Sequence, residues 1–229
     1  LTAPLRPVTD VRGVKVRPGG HVELPDRLAT EEPLEIRAAG PGQDARPVAV
    51  TMRTPGSDFE LAAGFLVTEG LVRPEEISGV GYCATAEPEH RFNTVTVALR
   101  RRWDDRSPRR DFVATSSCGV CGKAGIDQVE VACPALGATP PVAATLIPLL
   151  PERLRAAQHI FERTGGLHAA GAFDAAGTLR CLREDVGRHN AVDKIVGHDA
   201  LQRAAGTAPP RTAVLCVSGR VSFEIVQKA

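Results

Sequence analysis

Aromatic residues make up only 4% of the 229-residue chain. Few ring faces are therefore available for stacking the bases of a single-stranded nucleic acid. Neither sign of charge is in excess: 28 Lys and Arg against 27 Asp and Glu give a formal net charge of +1. That removes the broad field expected of a nucleic-acid or anionic-membrane binder. No apolar run approaches the ~20 residues needed to cross a bilayer, so no membrane insertion is expected. The opening "LTAPLRPVTDVRG" lacks the apolar core of a secretory signal. Six cysteines are too sparse for a disulfide framework, which favours a reducing, cytoplasmic setting. Structural zinc wants four ligands, usually as two close pairs. Here there is one C-x-x-C, with Cys83, Cys133, Cys181 and Cys216 scattered.

What is present divides the chain. Residues 1–112 read as strand-rich. The segments "DVRGVKV", "EEPLEIRAAG", "RPVAVTMRT", "ISGVGYCATA" and "RFNTVTVALR" are short, often alternating and bounded by turn residues. One helix interrupts them, "SDFELAAGFLVTEGLV". Ser57 followed by Glu60 suggests a capping box, and Phe59, Leu61, Ala62, Phe65 and Leu66 a buried face. Residues 113–127 form a loop carrying Cys118 and Cys121. Residues 128–229 alternate helix and strand. "PERLRAAQHIFERT" reads as one helix with Pro151 in its first turn. "GGLHAAGAFD" and "TLRCLREDV" are strands, "RHNAVDKIVGHDALQRA" a helix, "RTAVLCVSG" a buried strand, and "RVSFEIVQKA" the start of a further helix. Such alternation implies an α/β class, a sheet covered by helices. Cys181 and Cys216 fall in strands, where cysteine usually acts as a small hydrophobe. The first residue, Leu1, and the stop inside a helix suggest a trimmed chain, and the stop suggests truncation at the C-terminus.

The segment "TSSCGVCGKAGID", residues 115–127, permits three chemistries. Zinc lacks its second pair. A thioredoxin-like couple wants its C-x-x-C at a helix start behind a strand, and Gly and Ser are too frequent here for that. A sulfur relay needs an exposed thiolate that accepts a terminal sulfur and presents it onward. Gly119, Gly122 and Gly125 give such a loop freedom, and Lys123 favours the thiolate. The pair alone does not separate relay from redox.

A second constellation lies at element ends: Gly165, Gly166 and His168; Arg183, Asp185, Arg188, His189 and Asn190; and Ser218, Gly219 and Arg220. Strand-to-helix turns offer free backbone N–H groups that suit phosphate. A zinc nucleobase deaminase is the rival reading. Its H-x-E precedes P-C-x-x-C, whereas here the order is reversed and Ala170 replaces the glutamate.

"TSSCGVCGKAGID", "FERTGGLHAAGAFD", "REDVGRHNAVDKIVG" and "SGRVSFEIVQKA", in this order and spacing, resemble the FdhD/NarQ family of formate dehydrogenase accessory proteins. The resemblance implies a cytidine-deaminase-like core, a mixed sheet covered by helices, without deaminase chemistry. It implies a cytoplasmic sulfurtransferase, acting as a sulfur carrier and commonly a homodimer. Such a protein accepts persulfide sulfur from a cysteine desulfurase. It passes that sulfur to the molybdenum or tungsten bis(pterin guanine dinucleotide) cofactor, Mo-bis(molybdopterin guanine dinucleotide) in the molybdenum case, on which formate dehydrogenase depends. By the same resemblance Cys118 would bear the persulfide and Cys121 would be its companion. The polar clusters from Gly165 to His168, Arg183 to Asn190 and Ser218 to Arg220 would line the cofactor site, with no resident metal. Family members usually continue some fifty residues beyond "SFEIVQKA".

Overall fold

A computed structural model of the chain describes residues 5–83, 86–104, 112–114, 140–209 and 211–229. Three sheets and five helices account for them, and one helix pair joins the two halves.

The first sheet is a two-stranded ribbon. β1 (Val8–Arg17) runs antiparallel to β2 (Gly20–Ala29), from Arg17↔Gly20 beside the turn to Val8↔Ala29 at the base. In the sequence only the first of these strands is marked. Both strands are largely exposed and mix charged with apolar residues on each face, so β2 carries no clean alternation to read.

The second sheet is mixed and five-stranded, in the order β5-β6-β3-β4-β7. Its strands are β3 (Glu32–Ala39), β4 (Arg46–Arg53), β5 (Ile77–Tyr82), β6 (Thr94–Leu99) and β7 (Phe112–Ala114). Alternation in β3 and β6 turns Leu34, Ile36, Ala38, Val95, Val97 and Leu99 inward. There they meet Leu61, Ala62, Phe65 and Leu66 of α1 (Asp58–Thr68), which form one core with Ala200. Phe59 lies outside that core, 36% exposed. Its ring packs edge-on against Tyr82 at 4.8 Å.

The third sheet is antiparallel, in the order β10-β8-β9: β8 (His168–Phe173), β9 (Leu179–Asp185) and β10 (Val214–Val217). Its two faces separate by parity along β8. Ala169 and Phe173 pack on Leu150 and Leu154 of α2 (Leu150–Ala156). Ala170 and Ala172 face Ala191, Val192 and Ile195 of α4 (Arg188–Ala204) and Ile225 of α5 (Phe223–Lys228). β10 is a half-buried edge strand rather than a buried one.

Two expectations need correction. Residues 150–164 form two helices, α2 and α3 (His159–Thr164), parted at Ala157 and Gln158. Glu184 explains the break, because its carboxylate accepts the backbone N–H groups of Ile160 and Phe161 and starts a second helix there. The Ser57–Glu60 capping box does not form. Ser57 sits in the left-handed region (φ 54°) with no side-chain cap bond. Glu60 is drawn instead to Arg183 and His198.

The halves meet where α1 crosses α4. A Cβ on Gly64 would stand 1.8 Å from Asp193 O, and one on Gly197 1.8 Å from Glu60 O. Only glycine at both positions lets the two backbones touch. Thr68 Oγ1 donates to Asp193 (2.7 Å), and Lys228 Nζ bridges Asp193 (2.9 Å) and Glu69 (2.9 Å). These bonds tie α5 into the same crossing. Among the described residues, no helix is long and apolar enough to cross a membrane.

Candidate functional site

The site is built around the turn from β9 into α4, beside the ends of β8 and β10. His168 opens β8 directly opposite Asp185, the last residue of β9. Ser218 extends β10 along β8: its N–H donates to Ala169 O (2.9 Å), and its Oγ accepts from Ala169 N (2.9 Å). Gly219 follows. A methyl group there would lie 3.4 Å from Arg188 Cβ and Cδ and 3.5 Å from His168 Nδ1. His168, Arg188 and Gly219, separated by up to 51 positions in sequence, are therefore neighbours. Ser218 and Arg220 are exposed on the same turn.

His189 lies in the first turn of α4. Its Nε2 is buried and makes no hydrogen bond among the described residues. Burial, reinforced by the Arg188 charge, pushes its pKa down to about 4. At neutral pH the ring is uncharged. A neutral imidazole can meet an incoming polar group as donor or acceptor, according to tautomer.

The remaining candidates stand behind this surface. Asp185 is fully buried. One carboxylate oxygen accepts from Gly187 N (2.8 Å) and Asn190 Nδ2 (2.9 Å), the other from Thr54 N (3.2 Å) and Lys194 Nζ (2.7 Å). Lys194 spends its other two donors on the backbone oxygens of Thr54 (3.0 Å) and Glu184 (3.3 Å). Asn190 also donates to Met52 O (2.8 Å) and accepts from Thr51 Oγ1 (3.4 Å). A buried ion pair contributes little net stability, but removing one partner strands a charge and costs about 3–5 kcal/mol. What the pair secures here is the position of the turn.

Arg183 faces the other side. It forms a two-pronged pair with Glu60 of α1, its Nη2 2.6 Å from Oε1. Burial pushes the Glu60 carboxyl up, but Arg183 and His198 outweigh it and hold the carboxyl below its ordinary range. His198 Nδ1 lies 3.0 Å from Glu60 Oε1 and 3.2 Å from Arg183 Nη2, and its Nε2 lies 2.6 Å from Gln202 Nε2. Gly165 ends α3 in the left-handed conformation (φ 67°) and Gly166 lies beside Ala29, both exposed.

Cys118 and Cys121 lie outside the described residues. The last described residues before them are those of β7. β7 runs parallel to β4, and Ala114 pairs with Thr51, the residue whose hydroxyl reaches Asn190. Cys181 is a buried free thiol, and burial pushes its pKa up to about 11. It fills core beside Ala172 and stays a thiol at neutral pH.

Sequence reasoning missed Thr51 and Thr54, and left Lys194 as a polar neighbour of the cluster with no assigned partner. Lys194 follows Asn190 by four positions, so the helical period could have placed both on one face. Nothing in the sequence indicates that the end of β4 docks there.

The profile of the FdhD/NarQ family matches residues 29–229. The chain belongs to the FdhD/NarQ family. Among its relatives, a protein of Streptomyces avermitilis named sulfur carrier protein FdhD is 49% identical over 97% of this chain and 79% of its own. One of Mycobacterium tuberculosis with the same name is 48% identical over 91% of this chain and 76% of its own. A crystal structure from Desulfotalea psychrophila, described as a putative formate dehydrogenase accessory protein, superposes with a TM-score of 0.65 at 23% identity. It covers 96% of this chain and 77% of that one, and it supports the fold. The family match includes β3 to α5 and therefore the whole β9–α4 turn.

Proposed function

We propose that this chain is a sulfur carrier that loads a persulfide on Cys118 and delivers the sulfur to a metal-bound pterin guanine dinucleotide serving formate dehydrogenase. Its relatives carry the sulfur carrier name. One observation from the chain itself carries the reading. The strand leading towards the cysteines ends opposite Thr51, whose hydroxyl meets Asn190 in the first turn of α4. Cys118 follows Ala114 by four positions in sequence, and delivery would bring its sulfur to the His168–Arg188–Gly219 cluster.

The pterin compound is substrate here, not a resident cofactor. Its phosphates suit Arg188, Arg220 and the positive end of the α4 dipole. His168 and the neutral ring of His189 can meet polar groups of the guanine arm. Asp185, Asn190 and Arg183 act in this reading from behind, by holding the turn and α4 in place. Gly165, Gly166 and Ser218 complete the rim.

Loading exchanges sulfur between thiols. The Cys118 thiolate attacks the terminal sulfur of a cysteine desulfurase persulfide. The desulfurase thiolate leaves, and Cys118 holds the persulfide. Release uses Cys121: its thiolate attacks the Cys118 Sγ, a Cys118–Cys121 disulfide forms, and hydrosulfide departs towards the substrate. A cellular dithiol then reduces the disulfide. The partners in this reading are a cysteine desulfurase, a formate dehydrogenase and a second copy of the chain, in the cytoplasm. The core is read as cytidine-deaminase-like without the deaminase proton shuttle.

Genetic replacement tests the reading. In a bacterium deprived of its own carrier, this chain restores formate dehydrogenase activity and Cys118→Ala does not. Equal rescue by both would remove Cys118 from the account.

A further inference from the structure

We infer that Thr54, on the N-terminal half, is the positioning residue for the nucleotide-facing turn of the C-terminal half. Thr54 is 1% exposed, and its hydrogen bonds run to Asp185, Val186 and Lys194, behind the open His168–Arg188–Gly219 surface. All three of its polar groups point into the β9–α4 turn. Its N–H donates to Asp185 Oδ2 (3.2 Å) and its carbonyl accepts from Lys194 Nζ (3.0 Å). Its hydroxyl accepts from Val186 N (3.2 Å). Val186 is the residue between the Asp185 hub and Gly187, and α4 begins directly after Gly187 with Arg188 and His189.

The backbone bonds of Thr54 would survive a change of side chain. The hydroxyl is the part a substitution can remove. Without it the part-buried Val186 N–H loses its acceptor, and a donor left without that partner favours local rearrangement. The turn would then shift or loosen at the residues immediately before Arg188 and His189. Threonine is not needed for its methyl group in this scheme, so serine should serve. Valine keeps the branched shape and lacks the acceptor. The inference rests on reading the α4 start as a guanine nucleotide site, and the test separates the two claims.

The experiment compares the full chain with Thr54→Val and Thr54→Ser, each well below its melting midpoint. Two readouts are taken: hydrogen exchange of the Val186 amide by NMR, and titration with GDP. The expected result is loss of Val186 protection and a GDP Kd at least tenfold weaker in Thr54→Val, with both restored in Thr54→Ser. A Thr54→Val chain that keeps Val186 protected, or that binds GDP like the wild type, overturns the inference. So does a Thr54→Ser chain as impaired as Thr54→Val. If the wild type does not bind GDP, the nucleotide reading fails instead. The Val186 amide then decides the positioning role alone, by the same loss and rescue.

Discussion

His189 is the side chain at the site whose ionisation is most displaced among those facing it. Its pKa falls from 6.5 to about 4, chiefly through burial and then through Arg188. Protons therefore bind the unfolded chain more readily than the folded one. The stability this neutral ring allows is fully present above the unfolded value of ~6.5 and declines as pH falls towards 4. Removing the imidazole should flatten that decline. His189→Gln is expected to lose less stability than the wild type between pH 6.5 and 4, measured by denaturant unfolding at matched ionic strength. Identical slopes would mean that the ring is solvated and takes up its proton freely. Glu60 has the same sign, because its pKa too is lowered in the folded chain. Its carboxyl is held low by Arg183 and His198, so its contribution is present above its ordinary range and is lost on acidification.

At the scale of elements, the α1–α4 crossing decides how the halves fit. Gly64 and Gly197 touch the opposite helix backbone, with no flexible side chain available to yield. Gly64→Ala must push α4 away and stretch the Thr68–Asp193 and Glu60–Arg183 contacts. Overpacking typically costs 1–3 kcal/mol and occasionally more. About 3 kcal/mol of lost stability is expected, read as a lower urea midpoint, although alanine is the better helix former. A midpoint equal to or above the wild type would show that the helices can separate freely.

At the scale of the molecule, the order of elements from β3 to α5 is largely legible from pattern. Alternation marks β3 and β6, and glycine and aspartate punctuation marks β8, β9 and α4. The polar cluster is legible too, since His168, Arg188 and Gly219 do come together. What escapes the sequence is what only tertiary placement decides. Glu184 divides a continuous helical pattern by capping the second half. Glu60 leaves its expected cap for a partner 123 positions away. Asp185 and Asn190 read as surface ligands but spend their polar atoms on the end of β4. β2 is unreadable because neither of its faces is buried.

The central claim is that Cys118 accepts sulfur, and intact-mass analysis tests it most directly. The full chain is incubated with a cysteine desulfurase and L-cysteine beside Cys118→Ala and Cys121→Ala. The account predicts a gain of one sulfur atom that is removed by reductant, absent in Cys118→Ala, and retained longer in Cys121→Ala because release is slowed. A chain that gains no sulfur and instead loses two hydrogens to an internal disulfide would contradict it and leave thiol–disulfide exchange as the chemistry of the pair.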